Sequence, residues 1–167
     1  MIRVVRNLFL ILFVLSSVFV SGGCVQAQNR FENSLIGNEA PNSSLEKLKG
    51  GSGNFQDEIS GKKAVIIFWA TWCPHCREQL QAINTSKAEL DQKDIAVLLV
   101  DIGESKAQVN KFLKDKGYDF DVFMDKDSKA AELYQVLGIP TIVLVGSDGK
   151  VRGVQYQFPQ EYEEILK

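Results

Sequence analysis

Cys73 and Cys76 stand two residues apart in the stretch Trp69-Ala70-Thr71-Trp72-Cys73-Pro74-His75-Cys76. An apolar run over residues 64–69 leads in, and a helical pattern over residues 77–90 leads out. A cysteine pair at a strand-to-helix turn is a redox arrangement. At helical spacing i and i+3 share a face, so the two sulfurs can reach each other. The first sulfur also falls at the helix N-terminus, where unpaired N–H groups and the helix dipole stabilise a thiolate. The thiolate is the attacking species in disulfide exchange.

Other chemistries are open to the same residues. The pair could be a structural disulfide or two core thiols. Cys73, His75 and Cys76 are also plausible soft-metal ligands. His75 is the only histidine and Cys24 the only other cysteine, so a closed tetrahedral site would need carboxylates or a second chain. No metal is therefore assigned. His75 is either a solvent-facing spacer or an imidazolium that stabilises the thiolate and makes the disulfide more oxidising. Trp69 ends a buried strand and reads as core. Trp72 is expected to be partly exposed beside Cys73, where it can touch substrate. Arg77 reads as surface or as a source of positive potential near Cys76. Glu104, with Lys111, Lys114, Asp115 and Lys116, reads as solvated helix surface.

The elements that position the pair follow from periodicity. Residues 64–69, 95–102 and 141–145 read as buried strands without alternation. Pro74 suits a first helical position. Leu80, Ile83 and Leu90 give the helix after the cysteines one apolar face. A second helix starts near Glu104-Ser105, carries Val109, Phe112 and Leu113, and stops at Gly117. Residues 121–124 form a short strand. Ser128 caps a helix with Ala131, Leu133, Tyr134 and Leu137 on its face, stopped by Gly138. Ser147-Asp148-Gly149-Lys150 is a hairpin turn, with residues 151–156 returning antiparallel. Pro159 opens a terminal helix with Tyr162, Ile165 and Leu166 inward. Residues 42–61 predict only short edge strands or turns. The order β-α-β-α-β-α-β-β-α makes the early strands parallel and the last two a hairpin.

The N-terminus reads as an export signal: Arg3 and Arg6, then an apolar stretch over residues 8–20, then Ser21-Gly22-Gly23-Cys24. The apolar run is short for a spanning helix. Cys24 sits where a lipidated cysteine would, although Ser21 stands where a leucine is usual. Cleavage after Ala27 and an uncleaved short anchor are the alternatives. Residues 1–23 are thus a signal, 24–34 a tether and 35–167 one domain. The whole chain carries −2 at pH 7, and losing Arg3 and Arg6 takes it to about −4. No basic, aromatic-laced patch marks a nucleic-acid surface. Three cysteines are too few for a disulfide-stapled scaffold.

With these residues in view, the chain resembles the thioredoxin fold, and within it the TlpA/ResA-like exported thiol-disulfide oxidoreductases. The resemblance runs over residues 35–167. Its marks are Ile36-Gly37 with Ala40-Pro41, the 68–76 stretch, Val100-Asp101-Ile102-Gly103-Glu104-Ser105, and Gly138-Ile139-Pro140-Thr141 followed by Asp148-Gly149-Lys150. It implies a central mixed sheet flanked by helices, with residues 104–125 as the family's helix-strand insertion. It implies Cys73 as nucleophile, the more exposed sulfur, and Cys76 as the more buried resolving cysteine. It implies a cis-Pro140 facing them, with the Ile139 backbone free to pair with an extended substrate. It implies no cofactor beyond the two sulfurs. Expected partners are cysteines of exported proteins, apocytochrome c for example, and a membrane thiol donor. Pro74-His75 resembles the centre of DsbA-type oxidants, which leaves net oxidation open. A copper or zinc chaperone is a further alternative. A peroxidase ranks below both, because Thr71 lies two residues before Cys73, not three. Ile67 and Gln79 stand where the family has polar or acidic residues, so the proton acceptor for Cys76 is open, with water or Glu78 as candidates.

Overall fold

The computed structural model describes residues 34–167. The signal and tether readings, Cys24 included, lie outside the described residues. The elements are β1 (Ser44–Lys47), β2 (Ser52–Asn54), α1 (Phe55–Ile59), β3 (Lys63–Trp69), α2 (Pro74–Gln92) and β4 (Ile95–Ile102). They continue with α3 (Lys106–Lys116), β5 (Asp121–Asp125), α4 (Lys129–Leu133), β6 (Thr141–Val145), β7 (Val151–Gln155) and α5 (Tyr162–Ile165).

Seven strands form one mixed sheet in the order β2-β1-β5-β4-β3-β6-β7. β3, β4 and β5 run parallel through helical crossovers, and β6 lies antiparallel to β3. Every residue of β3 after Lys63 is buried, as its unbroken apolar run requires. Alternate side chains feed two cores. Val65, Ile67, Trp69, Leu99 and Ile142 face α2 and α3 on one side. Ala64, Ile66, Phe68, Leu98 and Val143 face α1 and α4 on the other. α3 and β5 are the inserted helix and strand, with β5 between β4 and β1. This is the thioredoxin-like α/β architecture.

Local chemistry sets the boundaries. Ser105 and Gln108 form a reciprocal capping box that starts α3, so Glu104 lies in the turn before it. Gly117, at φ 68°, ends α3. Four expectations need correction. Residues 42–61 include a helix, α1, whose Phe55 and Ile59 are buried and whose N-cap Asn54 accepts the Gln56 N–H. Ser128 gives α4 no side-chain cap; Asp125 accepts the N–H groups of Ala130 and Ala131 instead. α4 stops at Leu133, because Gln135 turns into the left-handed region at φ 52°. Leu133 and Leu137 are consequently exposed, at 50% and 86%. At the C-terminus Pro159 precedes a short turn and the helix begins only at Tyr162; Tyr162 and Leu166 are buried and Ile165 is half-buried.

Candidate active site

The site forms where β3 ends. Trp69 is fully buried and packs on Phe112 of α3 with ring centroids 5.5 Å apart. A turn follows, closed by the Cys73 N–H donating to the Ala70 carbonyl at 3.2 Å. Cys73 is the N-cap of α2: its Sγ accepts the Cys76 N–H at 3.2 Å, and its carbonyl accepts the Arg77 N–H. Pro74 takes the first helical position, where its missing donor costs nothing. The chain thus places Cys73 and Cys76 one turn apart, with Cα atoms 5.2 Å apart, and joins them in a disulfide.

Both cysteines are buried, Cys73 at 5% exposure and Cys76 at 1%. The order of exposure is as the sequence implied, but the difference is small. Trp72 is the open residue of the loop, at 67%. Opposite the disulfide, the Ile139–Pro140 peptide is cis, and the Ile139 carbonyl lies 3.7 Å from Cys73 Sγ. Pro140 is buried and Ile139 half-buried. The Thr141 hydroxyl donates to the Gly138 carbonyl at 2.6 Å and braces that loop.

The residues around the pair sort differently from the sequence reading. His75 is exposed, and its Nδ1 lies 3.2 Å from Glu78 Oε2. Glu78 is itself exposed and turned to His75, so the structure does not bring it together with Cys76. Ile67 is core, in register with Leu99 and Ile142. Gln79 Oε1 accepts the Phe158 N–H at 2.8 Å and ties down the C-terminal segment. Arg77 is exposed and lines a cleft of about 270 Å³ beside Pro74 with Phe112, Lys116 and Tyr118. Among the described residues, no group of three His, Cys, Asp or Glu is placed to hold a metal ion.

Glu104 is the main correction. It is buried, not solvated, and accepts both the Thr71 N–H, at 2.5 Å, and the Thr71 hydroxyl, at 2.6 Å. Asp101 is fully buried beneath it and accepts the Glu104 N–H at 3.2 Å. Burial first, and then the neighbouring Glu104 carboxyl, push Asp101 up to about 8. Neither acid was singled out as a site residue from sequence, although both fall in the 100–105 stretch. The readable signal was an acid at the penultimate position of a buried strand.

A match to the AhpC/TSA family spans residues 36–154, and so covers the site from the first edge strand to β7. The chain belongs to the AhpC/TSA family. Within that thioredoxin-like family it is similar to the thiol-disulfide oxidoreductase ResA of Bacillus subtilis (strain 168), at 32% identity. That match covers 69% of this chain and 64% of the relative, just under two thirds. The ResA of Bacillus thuringiensis subsp. konkukian is 31% identical over 81% of this chain and 79% of its own. A Chlorobium tepidum protein assigned as thiol:disulfide interchange protein DsbE has a crystal structure that superposes with a TM-score of 0.69. It is 28% identical and covers 78% of this chain and 92% of its own. This member of the AhpC/TSA family is a thioredoxin-like thiol-disulfide oxidoreductase.

Proposed function

We propose that the protein exchanges disulfides with cysteines of exported proteins through Cys73 and Cys76, as a reductant outside the cytoplasm. The observation that carries this reading is the capped disulfide at the tip of α2, facing the Ile139 carbonyl and flanked by the exposed Trp72. Reduced Cys73 attacks a disulfide sulfur of the partner. A Cys73–partner bond forms, the partner's own S–S bond breaks, and its departing thiolate takes a proton. Cys76, once deprotonated, attacks Cys73 Sγ. The Cys73–Cys76 bond closes and the partner leaves with its second sulfur as thiolate. A fresh electron pair from a dithiol donor then resets the pair. The Cys76 N–H at Cys73 Sγ and the α2 dipole both favour a negative Cys73 sulfur.

Substrate binding rests on the loops around the disulfide. The Ile139 backbone can hydrogen-bond an extended peptide by strand addition. Trp72 offers an apolar face, and the cleft beside Pro74 can take a neighbouring side chain. Residues 1–23 act as the signal, and Cys24 as the lipidated tether. An unfolded partner with a local cysteine pair, such as apocytochrome c, fits this open surface. Among the described residues no helix is long and apolar enough to cross a membrane.

The oxidant reading leans on His75. Its side chain is 80% exposed and faces Glu78, so solvent and that carboxylate screen any charge it carries from the sulfurs. A reduction potential separates the two readings. We expect a value of about −270 mV rather than about −120 mV. Measurement against a glutathione or dithiothreitol buffer decides. A value near the upper figure, with no insulin-disulfide reduction, overturns the reductant assignment.

A further inference from the structure

Two buried carboxyls lie beneath the redox centre and have no part in the exchange just described. Glu104 spends both oxygens on Thr71, two residues before Cys73. Gly103, at φ 78°, lets the chain turn back so that the Glu104 N–H reaches Asp101 Oδ1. Among the described residues Asp101 Oδ2 accepts no hydrogen bond, although the side chain is fully buried and its neighbour is the Glu104 carboxyl. An unpartnered buried oxygen is costly as an anion and tolerable as a neutral acid.

The sheet register fixes where Asp101 points. It pairs with Trp69 in parallel β4 and β3, and with Met124 of β5. Directly paired strand residues share a face. Trp69 and Met124 belong to the cluster that contains Cys73, Cys76, Val109 and Leu113. Asp101 is therefore on the α2 face, the side that holds the disulfide. Among the described residues the titratable side chains of that cluster are Cys73, Cys76, Tyr162 and the half-buried Tyr118, and Glu104 is the charged neighbour of Asp101; Trp69, Met124, Val109 and Leu113 do not titrate. Asp125 is spent on α4, and Glu78, Arg77 and Lys116 lie exposed at the outer cleft.

We propose that Asp101 and Glu104 form a positioning unit for the Cys73–Cys76 pair, in which Glu104 clamps the Thr71 turn and Asp101 holds a proton whose binding is linked to the redox state. The proposal rests on the exchange reading for its purpose, not for its test. Reduction adds two electrons to the disulfide, and the sulfurs take up one or two protons according to pH. Where one sulfur remains a thiolate, its negative charge faces the carboxyl pair across a low-dielectric core. Asp101 then binds its proton more tightly in the reduced protein than in the oxidised one. Reciprocally, an ionised Asp101 makes the Cys73 thiolate harder to form.

The direct test is a carbon-13 NMR titration of the Asp101 carboxyl, assigned with Asp101→Asn, in the oxidised and dithiothreitol-reduced protein. The expected result is a midpoint higher in the reduced protein by about half a unit or more. Equal midpoints overturn the proposal, and they can be read whether or not any variant folds. A second arm follows iodoacetamide alkylation of Cys73 against pH in a Cys76→Ser background. The unaltered carboxyls should give two steps, and Asp101→Asn one; a single step in both overturns the linkage. Neither arm uses a protein substrate. A failed exchange assay with the linkage intact would sink the proposed function alone, and the converse would sink only this proposal.

Discussion

The sulfur of Cys73 accepts the backbone N–H of Cys76 at 3.2 Å, so the expected nucleophile also caps the helix that carries its partner. Stability and reactivity are thus coupled at one atom. Anything that stabilises negative charge on Cys73 also strengthens the cap.

The cap predicts a difference between two small substitutions. In the reduced protein, Cys73→Ser keeps an acceptor for the α2 N-terminus and Cys73→Ala removes it. Cys73→Ala is expected to be less stable than Cys73→Ser by about 1 kcal/mol. Urea denaturation of both variants, each without a disulfide, measures it. Equal midpoints would show that the cap contributes nothing.

Gln79 predicts a structural effect where the family resemblance suggested an acid-base one. Its side chain holds the Phe158 N–H, and Phe158 stacks on Tyr162 with centroids 5.2 Å apart. Gln79→Ala should cost about 1 kcal/mol and speed hydrogen exchange at Phe158. The pH profile of thiol reactivity should stay as it was. A displaced profile would return Gln79 to the chemistry.

Asp101 predicts how stability varies with pH. Its folded midpoint, about 8, lies above the unfolded value near 4. The folded state therefore binds the extra proton between those limits. Its contribution is fully present below about pH 4 and is lost as pH rises through about 8, with a slope of up to about 1.4 kcal/mol per unit. Asp101→Asn should flatten that decline. Chemical denaturation at pH 5, 6.5 and 8 is the measurement; an unchanged slope in the variant would contradict it.

Much of this was legible in the sequence because the signals were local. The apolar run ending at Trp69 is short and rich in β-branched and aromatic residues, which favours a buried strand. Pro74 suits the first helical position, where its missing N–H costs nothing. Gly117 carries its own stop, and Ser105 marks the start of α3, although Glu104 beside it falls outside the helix. What was misread depends on residues far away in the chain. Glu104 looked solvated because its partner, Thr71, is 33 positions earlier and meets it only when β3 and β4 pair. Leu133 and Leu137 looked like one helix face because nothing in their spacing announces the left-handed turn at Gln135. Ser128 fits a cap by type, but the buried Asp125 carboxylate reached those N–H groups first. The closeness of the two sulfurs was readable, since two residues of spacing at a helix tip put both on one face.

The most direct test of the central claim is trapping with Cys76→Ser in the full chain. The variant should accumulate mixed disulfides through Cys73 with exported cysteine proteins, visible as thiol-sensitive adducts on a non-reducing gel. Cys73→Ser should accumulate none. Adducts on Cys73→Ser instead, or none on either variant while the Cys73–Cys76 disulfide of the unaltered protein forms and breaks normally, would contradict the account.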